Sequence, residues 1–402
     1  MVSNRVNATV LVSQAQESLR RKLHVLTLTP FYPSAGDEVT GCFVAELLEQ
    51  LKSEDVTSTV MAVGNVYHPR KVAEDTKPAI WFRYLQFPGI AGLSSAGSLL
   101  YSRIKAKVLR LHQQRPIDVI HAHAALPCGD AAARLTSDLG VPFVVSVHGL
   151  DVFNTFFGQG ISVRWRRKAS CVVYRQAAAV VCISGKVNQV LTSVMGTEVR
   201  ATTLYNGTDA ELFSPDPTVI REETTLLVVG MLLRIKGQRL VLEAISKLKD
   251  RYPLLRCLFI GDGPDRPLLL DLAKRSGIED RVMFVGRKSR AEVASAMRRC
   301  TLFVLPSSYE GLGCVYLEAM ASGMPVIACR GQGIEEIIRH EENGWLVGVE
   351  SPEELVQAIS MMLQNPALRV EMGKAARRTI LDGLTLAYQA KRTRSLYDRV
   401  IE

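Results

Sequence analysis

The sequence predicts an α/β protein made of two doubly wound parallel-sheet domains. Three observations lead there. The chain has 402 residues, 47% apolar and 22% charged, which is too long for one ordinary core and too apolar for a disordered chain. Short β-branched and apolar runs alternate with segments of helical period, the pattern of a parallel sheet covered on both faces. The alternation breaks once, at "LYNGTDAELFSPDP", where Asn206-Gly207, Pro215 and Pro217 mark a linker. Residues 1–21 lack periodicity and are expected to form a flexible leader, followed by one domain over 22–205, a second over 206–380 and a terminal segment, 381–402.

In the first series, "KLHVLTLTPFYP" is a buried strand ended by Pro30 and Pro33, and "FVAELLEQLKS" places Phe43, Val44, Leu47, Leu48 and Leu51 at helical spacing. "TSTVMAVGNVY", "IDVIHAHAAL" with "DAAARLTSDLG", "PFVVSVHGLD" and "RQAAAVVCISGKVNQVLTSVMG" repeat the alternation. In such sheets ligands gather beyond the carboxyl ends of strands, so the loops after Thr29, His121, Val147 and Ile183 are the places to look. The second series runs through "TTLLVVGMLLRIKGQRLVLEAISKLKD", "LRCLFIGDGPDRPLLLDLAKRSG", "DRVMFVGRKSRAEVASAMRRC", "TLFVLPSSYEGLGCVYLEAMASG" and "PVIACRGQGIEEIIRHEENGWLVG". Each starts as a strand and continues as a helix or loop. "YQAKRTRSLYDRVIE" closes the chain as an amphipathic helix whose packing partner periodicity does not reveal.

Composition narrows the function classes. No apolar run reaches the length of about 18 residues that reads as a spanning helix, and the N-terminus is too polar for a signal peptide, so a cytoplasmic protein is expected. The eight cysteines stand singly, with no C-x-x-C pair, and read as reduced packing residues. His121 and His123 have no third ligand at a metal-binding spacing, so no metal site is expected. Residues 1–205 hold 22 Lys+Arg against 14 Asp+Glu, whereas 206–402 hold 27 against 26. The excess in the first half suits an anionic partner, a membrane surface or a phosphorylated acceptor; scattered solvated cations explain it equally.

The loops carry the chemistry. In "EGLG" before "CVYLEAM", Gly311 and Gly313 precede a helix start, so backbone N–H groups and the helix dipole converge on one spot suited to phosphate. Glu310 stays on the loop and Glu318 falls inside the helix, flanking that spot as acceptors for hydroxyls; read alone, each is equally an ordinary exposed acid. "VVGMLLRIKG" brings Arg234 and Lys236 to another strand end, where they could meet the same anion. "GDGP", with Gly261 and Gly263, has similar strand-to-turn character. "VVSVHGLD" sets His148 and Asp151 at a strand end of the first domain, where an imidazole could contact a sugar or serve proton chemistry.

Taken in order, "HGLD", "YNGTDAELFSP", "VVGMLLRIKG", "FIGDGP", "RVMFVGR" and "LPSSYEGLGCVYLEAMASGMPVIA" resemble the retaining glycosyltransferases of family 4, the last segment holding the E-x7-E motif of that family. The resemblance runs from about Lys22 to the C-terminus and implies the GT-B fold, two Rossmann-like domains with the last helix crossing back to the first. It implies a nucleotide-diphospho-sugar donor, with a UDP- or GDP-sugar in the cleft, and a glycan or lipid-linked acceptor. By the same resemblance Glu310 contacts the transferred sugar, and the amides of Gly311, Leu312, Gly313, Cys314 and Val315 hold sugar and phosphate oxygens. Glu318 accepts from the ribose, Lys236 neutralises the departing diphosphate and His148 reaches the sugar from the opposite wall. Gly41, Asp151, Arg234, Gly261, Gly263 and Arg287 complete the implied donor site. Retention of configuration, no divalent metal, no other cofactor and no dedicated general base are also implied, and nothing points to nucleic acid.

One residue departs from the pattern. Met231 stands after Gly230, where many members carry an arginine that grips the diphosphate, and Arg234 is the candidate replacement. A non-catalytic nucleotide-sugar-binding subunit is the alternative, with a GT-B epimerase behind it. For the acceptor, "WFRYLQFPGIAGLSSAGSLLYSRIKAKVLRLHQQR" and "RWRRK" mix aromatic, apolar and basic residues in the basic half, which suits peripheral association with an anionic membrane; an acceptor cleft with ordinary solvated faces is the equal alternative.

Overall fold

The computed structural model describes residues 21–34, 37–65, 79–84, 92–156, 159–222 and 224–402. Most of the expected leader, and residues 85–91 of the aromatic and basic segment, lie outside them. Two fully parallel sheets carry the fold. The first contains β1 (Leu23–Thr29), β2 (Val56–Asn65), β3 (Ala79–Tyr84), β4 (Val119–His123), β5 (Phe143–Val147), β6 (Ala179–Cys182) and β7 (Ala201–Thr203) in the order β3-β2-β1-β4-β5-β6-β7. The second contains β8 (Thr225–Val229), β9 (Arg256–Ile260), β10 (Val282–Phe284), β11 (Leu302–Val304), β12 (Val326–Cys329) and β13 (Trp345–Val347) in the order β10-β9-β8-β11-β12-β13. Both sheets reverse their winding at the first strand of the series. Ligand crevices are therefore expected outside the ends of β1 and β4, and of β8 and β11.

Alternation within a strand sends side chains to two separate cores. Leu26 and Leu28 of β1 join one apolar cluster, while Leu23 and Val25 join another, so both faces of the sheet are covered, as a parallel sheet requires. The second cluster contains Val44, Leu47 and Leu48 of α1 (Cys42–Gln50) and Ala390, Leu396 and Tyr397 of the terminal helix. The other helices of the first half are α2 (Gly92–Gln114), α3 (Asp130–Leu139), α4 (Leu150–Phe156), α5 (Ile161–Gln176) and α6 (Gly185–Met195). In the second half come α7 (Gln238–Leu248), α8 (Arg266–Arg275), α9 (Arg290–Arg299), α10 (Cys314–Ala321), α11 (Pro352–Gln364), α12 (Pro366–Leu381) and α13 (Leu386–Ile401).

The terminal helix α13 packs on the first sheet's helices, not on the second's. Arg394, 2% exposed, donates to the carbonyls of Arg21 at 2.8 Å and Glu54 at 2.9 Å while pairing with Asp398 at 3.0 Å. A guanidinium so buried is tolerable because carbonyls and a carboxylate satisfy it. The chain thus passes between the sheets twice, and the two passages bond to each other. Thr208 N–H donates to the Leu384 carbonyl at 2.9 Å and Leu386 N–H to the Thr208 carbonyl at 3.0 Å.

One reading changes with the structure. "WFRY", the aromatic start of the segment read as suited to a membrane surface, lies in edge strand β3, paired in register with β2 from Val60↔Ala79 to Asn65↔Tyr84. Its Trp81 and Phe82 pack partly buried against the two cores; β-branched and aromatic residues fit a half-buried pleated edge.

Candidate active site in the interdomain cleft

Neighbouring strands β8 and β11 deliver the two loops of one wall. The loop after β8 carries Lys236 in a single tight turn, Arg234–Lys236. The loop after β11 carries Glu310 and then Gly313, whose φ of 84° turns the chain into α10. A side chain at that position would meet Glu310 Cγ at 2.8 Å, so glycine is what lets Glu310 lie against the helix start. Lys236 Nζ stands 2.5 Å from Glu310 Oε2, with the two side chains only 19% and 14% exposed. A cation and a carboxylate from separate loops therefore meet beside the N-terminus of α10. One turn further along, Glu318 is buried and pairs with Arg290 Nη1 at 2.6 Å. Burial works against the charge on Arg290, but Glu318, Cys42 and Glu46 outweigh it and hold the guanidinium protonated.

The opposite wall is the end of β5. His148 lies between the rings of Phe31 and Phe43, with centroids at 5.4 and 4.9 Å, and stacks on His123 at 5.2 Å. His148 Nε2 and His123 Nδ1 share a hydrogen bond at 3.0 Å. Behind them His121 stacks on His123 at 4.6 Å and bonds the Tyr397 hydroxyl at 2.6 Å and Ser146 Oγ at 2.7 Å. Three imidazoles so enclosed are held neutral: burial lowers His148 to about 3 and His121 to about 4, and lowers His123 as well. With Tyr397 and Ser146 on its nitrogens, His121 is a structural residue. Asp151 closes the turn after β5 by accepting from the His148 and Val152 N–H groups at 3.1 and 3.0 Å. Burial pushes its carboxyl up to about 6 despite those bonds.

The walls touch where both lack side chains. A Cβ on Gly149 would lie 3.1 Å from Gly311 Cα, and one on Gly311 would lie 3.3 Å from Gly149 Cα. Ser184 Oγ donates to the Gly311 carbonyl at 2.5 Å, and Phe153 stacks on Tyr309 at 4.3 Å. Three acid–base contacts span the same gap. Glu336 accepts from Gly185 N at 2.7 Å, Lys186 N at 2.5 Å and the Tyr205 hydroxyl at 2.8 Å, so it caps α6 from the other sheet. Arg287 pairs with Asp37 and lies 3.4 Å from Thr40 Oγ1. Arg290, besides Glu318, pairs with Glu46 of α1 at 2.6 Å.

Of the residues singled out in the sequence, Glu310, Gly311, Leu312, Gly313, Cys314, Val315 and Glu318 line up along one loop and helix start, and Lys236 joins them from the loop after β8, facing His148 and Gly149. Cys314 accepts from Asn206 Nδ2 at 3.3 Å, which ties that helix start to the linker. The remaining residues stand in settings of their own. Gly41 is needed because a Cβ there would fall 2.3 Å from the Phe31 backbone. Gly261 and Gly263 let the loops after β8 and β9 touch, since Cβ atoms there would lie 1.9 and 2.4 Å from the carbonyls of Gly230 and Leu232. Arg287 is engaged with Asp37, Asp151 is a turn cap, and Arg234 is exposed beside Met231, itself 58% exposed. Arg290, Glu46 and Glu336 escaped the sequence reading, and His123 was weighed there only as a metal ligand, because each acts through a partner distant in the chain; Arg290 offered only the "SRAE" helix start as a signal.

A family model described as glycosyl transferases group 1 matches residues 211–379, and one described as glycosyltransferase family 4 matches residues 41–212. An uncharacterized glycosyltransferase of Methanocaldococcus jannaschii is 30% identical over 258 residues, 64% of this chain and 69% of that protein. The N-acetyl-alpha-D-glucosaminyl L-malate synthase of Bacillus anthracis is 27% identical over 290 residues, 69% of this chain and 74% of that protein. Among solved structures, sucrose-phosphate synthase from Thermosynechococcus elongatus superposes with a TM-score of 0.79 at 21% identity, covering 94% of this chain and 99% of that one. Anabaena HepE, solved with UDP and glucose, gives 0.74 at 18% identity over 94% and 100%. Those two likenesses establish the shared GT-B fold, and the family matches over both halves, with the 30% identical relative, show that the chain belongs to the group 1, family 4 glycosyltransferases.

Proposed function

We propose that the protein transfers a sugar from a UDP- or GDP-sugar to a hydroxyl of a glycan or lipid-linked acceptor, with retention of configuration and without a metal ion or other cofactor. The observation that carries this is the meeting of Lys236, Glu310 and the start of α10, with Glu318 one turn on and His148 opposite. Binding of UDP and glucose by HepE, a protein of the same fold, supports the nucleotide-sugar donor.

The roles follow from charge. Negative charge grows on the donor phosphates as the glycosidic bond breaks, and Lys236 with the α10 amides stands ready to stabilise it. Its carboxylate partner, Glu310, would turn to the hydroxyls of the sugar, freeing the ammonium for the diphosphate. Glu318, whose carboxyl burial pushes up while Arg290 draws it back down, would accept from the ribose. His148, held neutral and fixed by His123, would contact the sugar as a hydrogen-bonding group. The acceptor hydroxyl would give its proton to a donor phosphate oxygen as that oxygen leaves, so Glu310 and Glu318 are not assigned the acid and base roles of a glycosidase pair. No helix among the described residues is long and apolar enough to cross a membrane; the basic first domain supports peripheral association with an anionic membrane at the cytoplasmic face.

A panel of UDP- and GDP-sugars tests the reading by titration calorimetry and by release of nucleoside diphosphate. We expect one donor to bind and turn over slowly without acceptor, with turnover lost in Glu310→Gln and Lys236→Ala. Absence of binding by every donor would sink the proposal. Binding without turnover, unchanged in Glu310→Gln, would favour the non-catalytic subunit suggested by Met231.

A further inference from the structure

Helix α5 is apolar on two sides. Val163, Val173 and Tyr174 are buried against the first domain. A second stripe, Ile161, Arg164, Trp165, Lys168 and Val172, recurs at intervals of three and four and so shares one face, and that face is turned outward. Ile161 is 76% exposed, Trp165 65% and Val172 46%. A tryptophan that size is rarely left to water without a reason. Arg164 and Lys168, exposed between these apolar residues, have no acidic partner among the described residues. The nearest acid on the facing helix, Asp130, is already paired with Arg134 at 3.3 Å. Between the stripe and Ser95, Asp130 and Arg134 lies an open groove of about 810 Å³.

Topology fixes where this face stands. β5 ends at Val147, the site loop with His148 and Asp151 follows, and α5 then runs back toward the start of β6. Ile161, Arg164 and Trp165 are in the first turns of α5, at the same end of the sheet as His148. Ser95 and Asp130 open α2 and α3 at that end too. The stripe therefore flanks the mouth of the cleft on the acceptor side.

We propose that this face of α5 is a docking surface for an anionic phospholipid bilayer, with Ile161 and Trp165 seated at the headgroup level and Arg164 and Lys168 against lipid phosphates. The inference deepens the membrane reading given above and names the surface responsible. Charge complementarity selects the occupant: unpaired cations interleaved with an indole and aliphatic side chains match an interface that is apolar on one side and negative on the other. Seated this way, the cleft mouth faces the layer in which a lipid-linked hydroxyl would be presented.

The test is sedimentation of the full chain with phosphatidylglycerol–phosphatidylcholine vesicles and with pure phosphatidylcholine vesicles, alongside UDP and GDP titration of the same samples. Wild-type protein is expected to bind the anionic vesicles at least about tenfold more tightly than the neutral ones. Each of Arg164→Glu and Lys168→Glu should weaken that binding by about fivefold or more, and Ile161→Ser with Trp165→Ser should remove most of it. Nucleotide affinity should stay unchanged in all variants, which also reports that they are folded. Brominated lipid should quench the wild-type tryptophan emission and leave that of Trp165→Phe largely unaffected. Wild-type protein that ignores anionic vesicles, or that binds them equally after these substitutions, overturns the surface. Binding of an acidic protein by the stripe with no vesicle binding overturns it too. Absent nucleotide affinity in wild-type protein with vesicle binding intact would instead count against the donor reading alone.

Discussion

Arg290 pairs with Glu318 on its own domain at 2.6 Å and, through its Nε, with Glu46 on the other at 2.6 Å. It also lies over the Phe213 ring at 4.9 Å, so three elements are pinned by one guanidinium. The acid expected to hold the ribose is thus tied to the contact that closes the cleft. Glu318→Gln should weaken nucleoside diphosphate binding by about 1.5–3 kcal/mol, the worth of a charged hydrogen bond. Glu46→Gln should leave that affinity within a few fold and expand the protein in solution scattering. Equal losses from the two substitutions, measured by calorimetry, would contradict this division.

The Lys236–Glu310 pair gives a second expectation. Lys236→Ala should lower kcat by roughly 100- to 1,000-fold, the usual cost of losing one preorganised charge stabiliser. Lys236→Arg should recover only part of it, because a planar fork does not replace a compact ammonium in so tight a turn. Steady-state kinetics with the donor found in the panel decides.

Met231 and Arg234 share an exposed loop, and the position after Gly230 is where a diphosphate-gripping arginine was expected. Arg234→Ala should weaken UDP or GDP binding, and Met231→Arg in that background should restore it, by up to about tenfold given the exposure of both sites. An Arg234→Ala variant with wild-type affinity would show that another group fills the place.

The histidine stack sets a pH limit on the fold. His148 at about 3 and His121 at about 4, with His123 lowered too, sit below the unfolded value of about 6.5. The unfolded chain therefore takes up more protons, and stability is present above about pH 6.5 and lost as the pH falls toward the folded values. Asp151, raised to about 6, works the other way, adding stability as the pH drops through 6. Three imidazoles against one carboxyl leave a net loss on the order of a few kcal/mol between pH 7 and 5. The denaturation midpoint should fall over that range, and less steeply in His123→Gln.

Much of this was legible in the chain. Alternating apolar runs revealed most strands, and Asn206-Gly207 with the prolines marked the passage between sheets. The glycines around Glu310 announced the helix start at Cys314. Edge strand β3 was missed because Trp81, Phe82 and Arg83 read equally well as a surface patch, and pairing with β2 is what decides between them. The bridging charges were invisible for a different reason. Arg290 and Glu46 are 244 residues apart, and Glu336 reaches α6 151 residues away; local pattern carries no record of such meetings.

The paired passages at Thr208 and Thr385 constrain how the molecule can work. Because Thr208 exchanges backbone bonds with Leu384 and Leu386, and Gly207 N–H donates to the Gln389 side chain at 2.8 Å, the two connections behave like the two leaves of one door pin. A single connection would let the halves swing and twist freely. Two strands laced together favour rotation about the line they share, so each opening would bring Gly149 back onto Gly311 along the same arc. Severing the backbone at the linker alone would not set the halves apart, since α13 would still hold them.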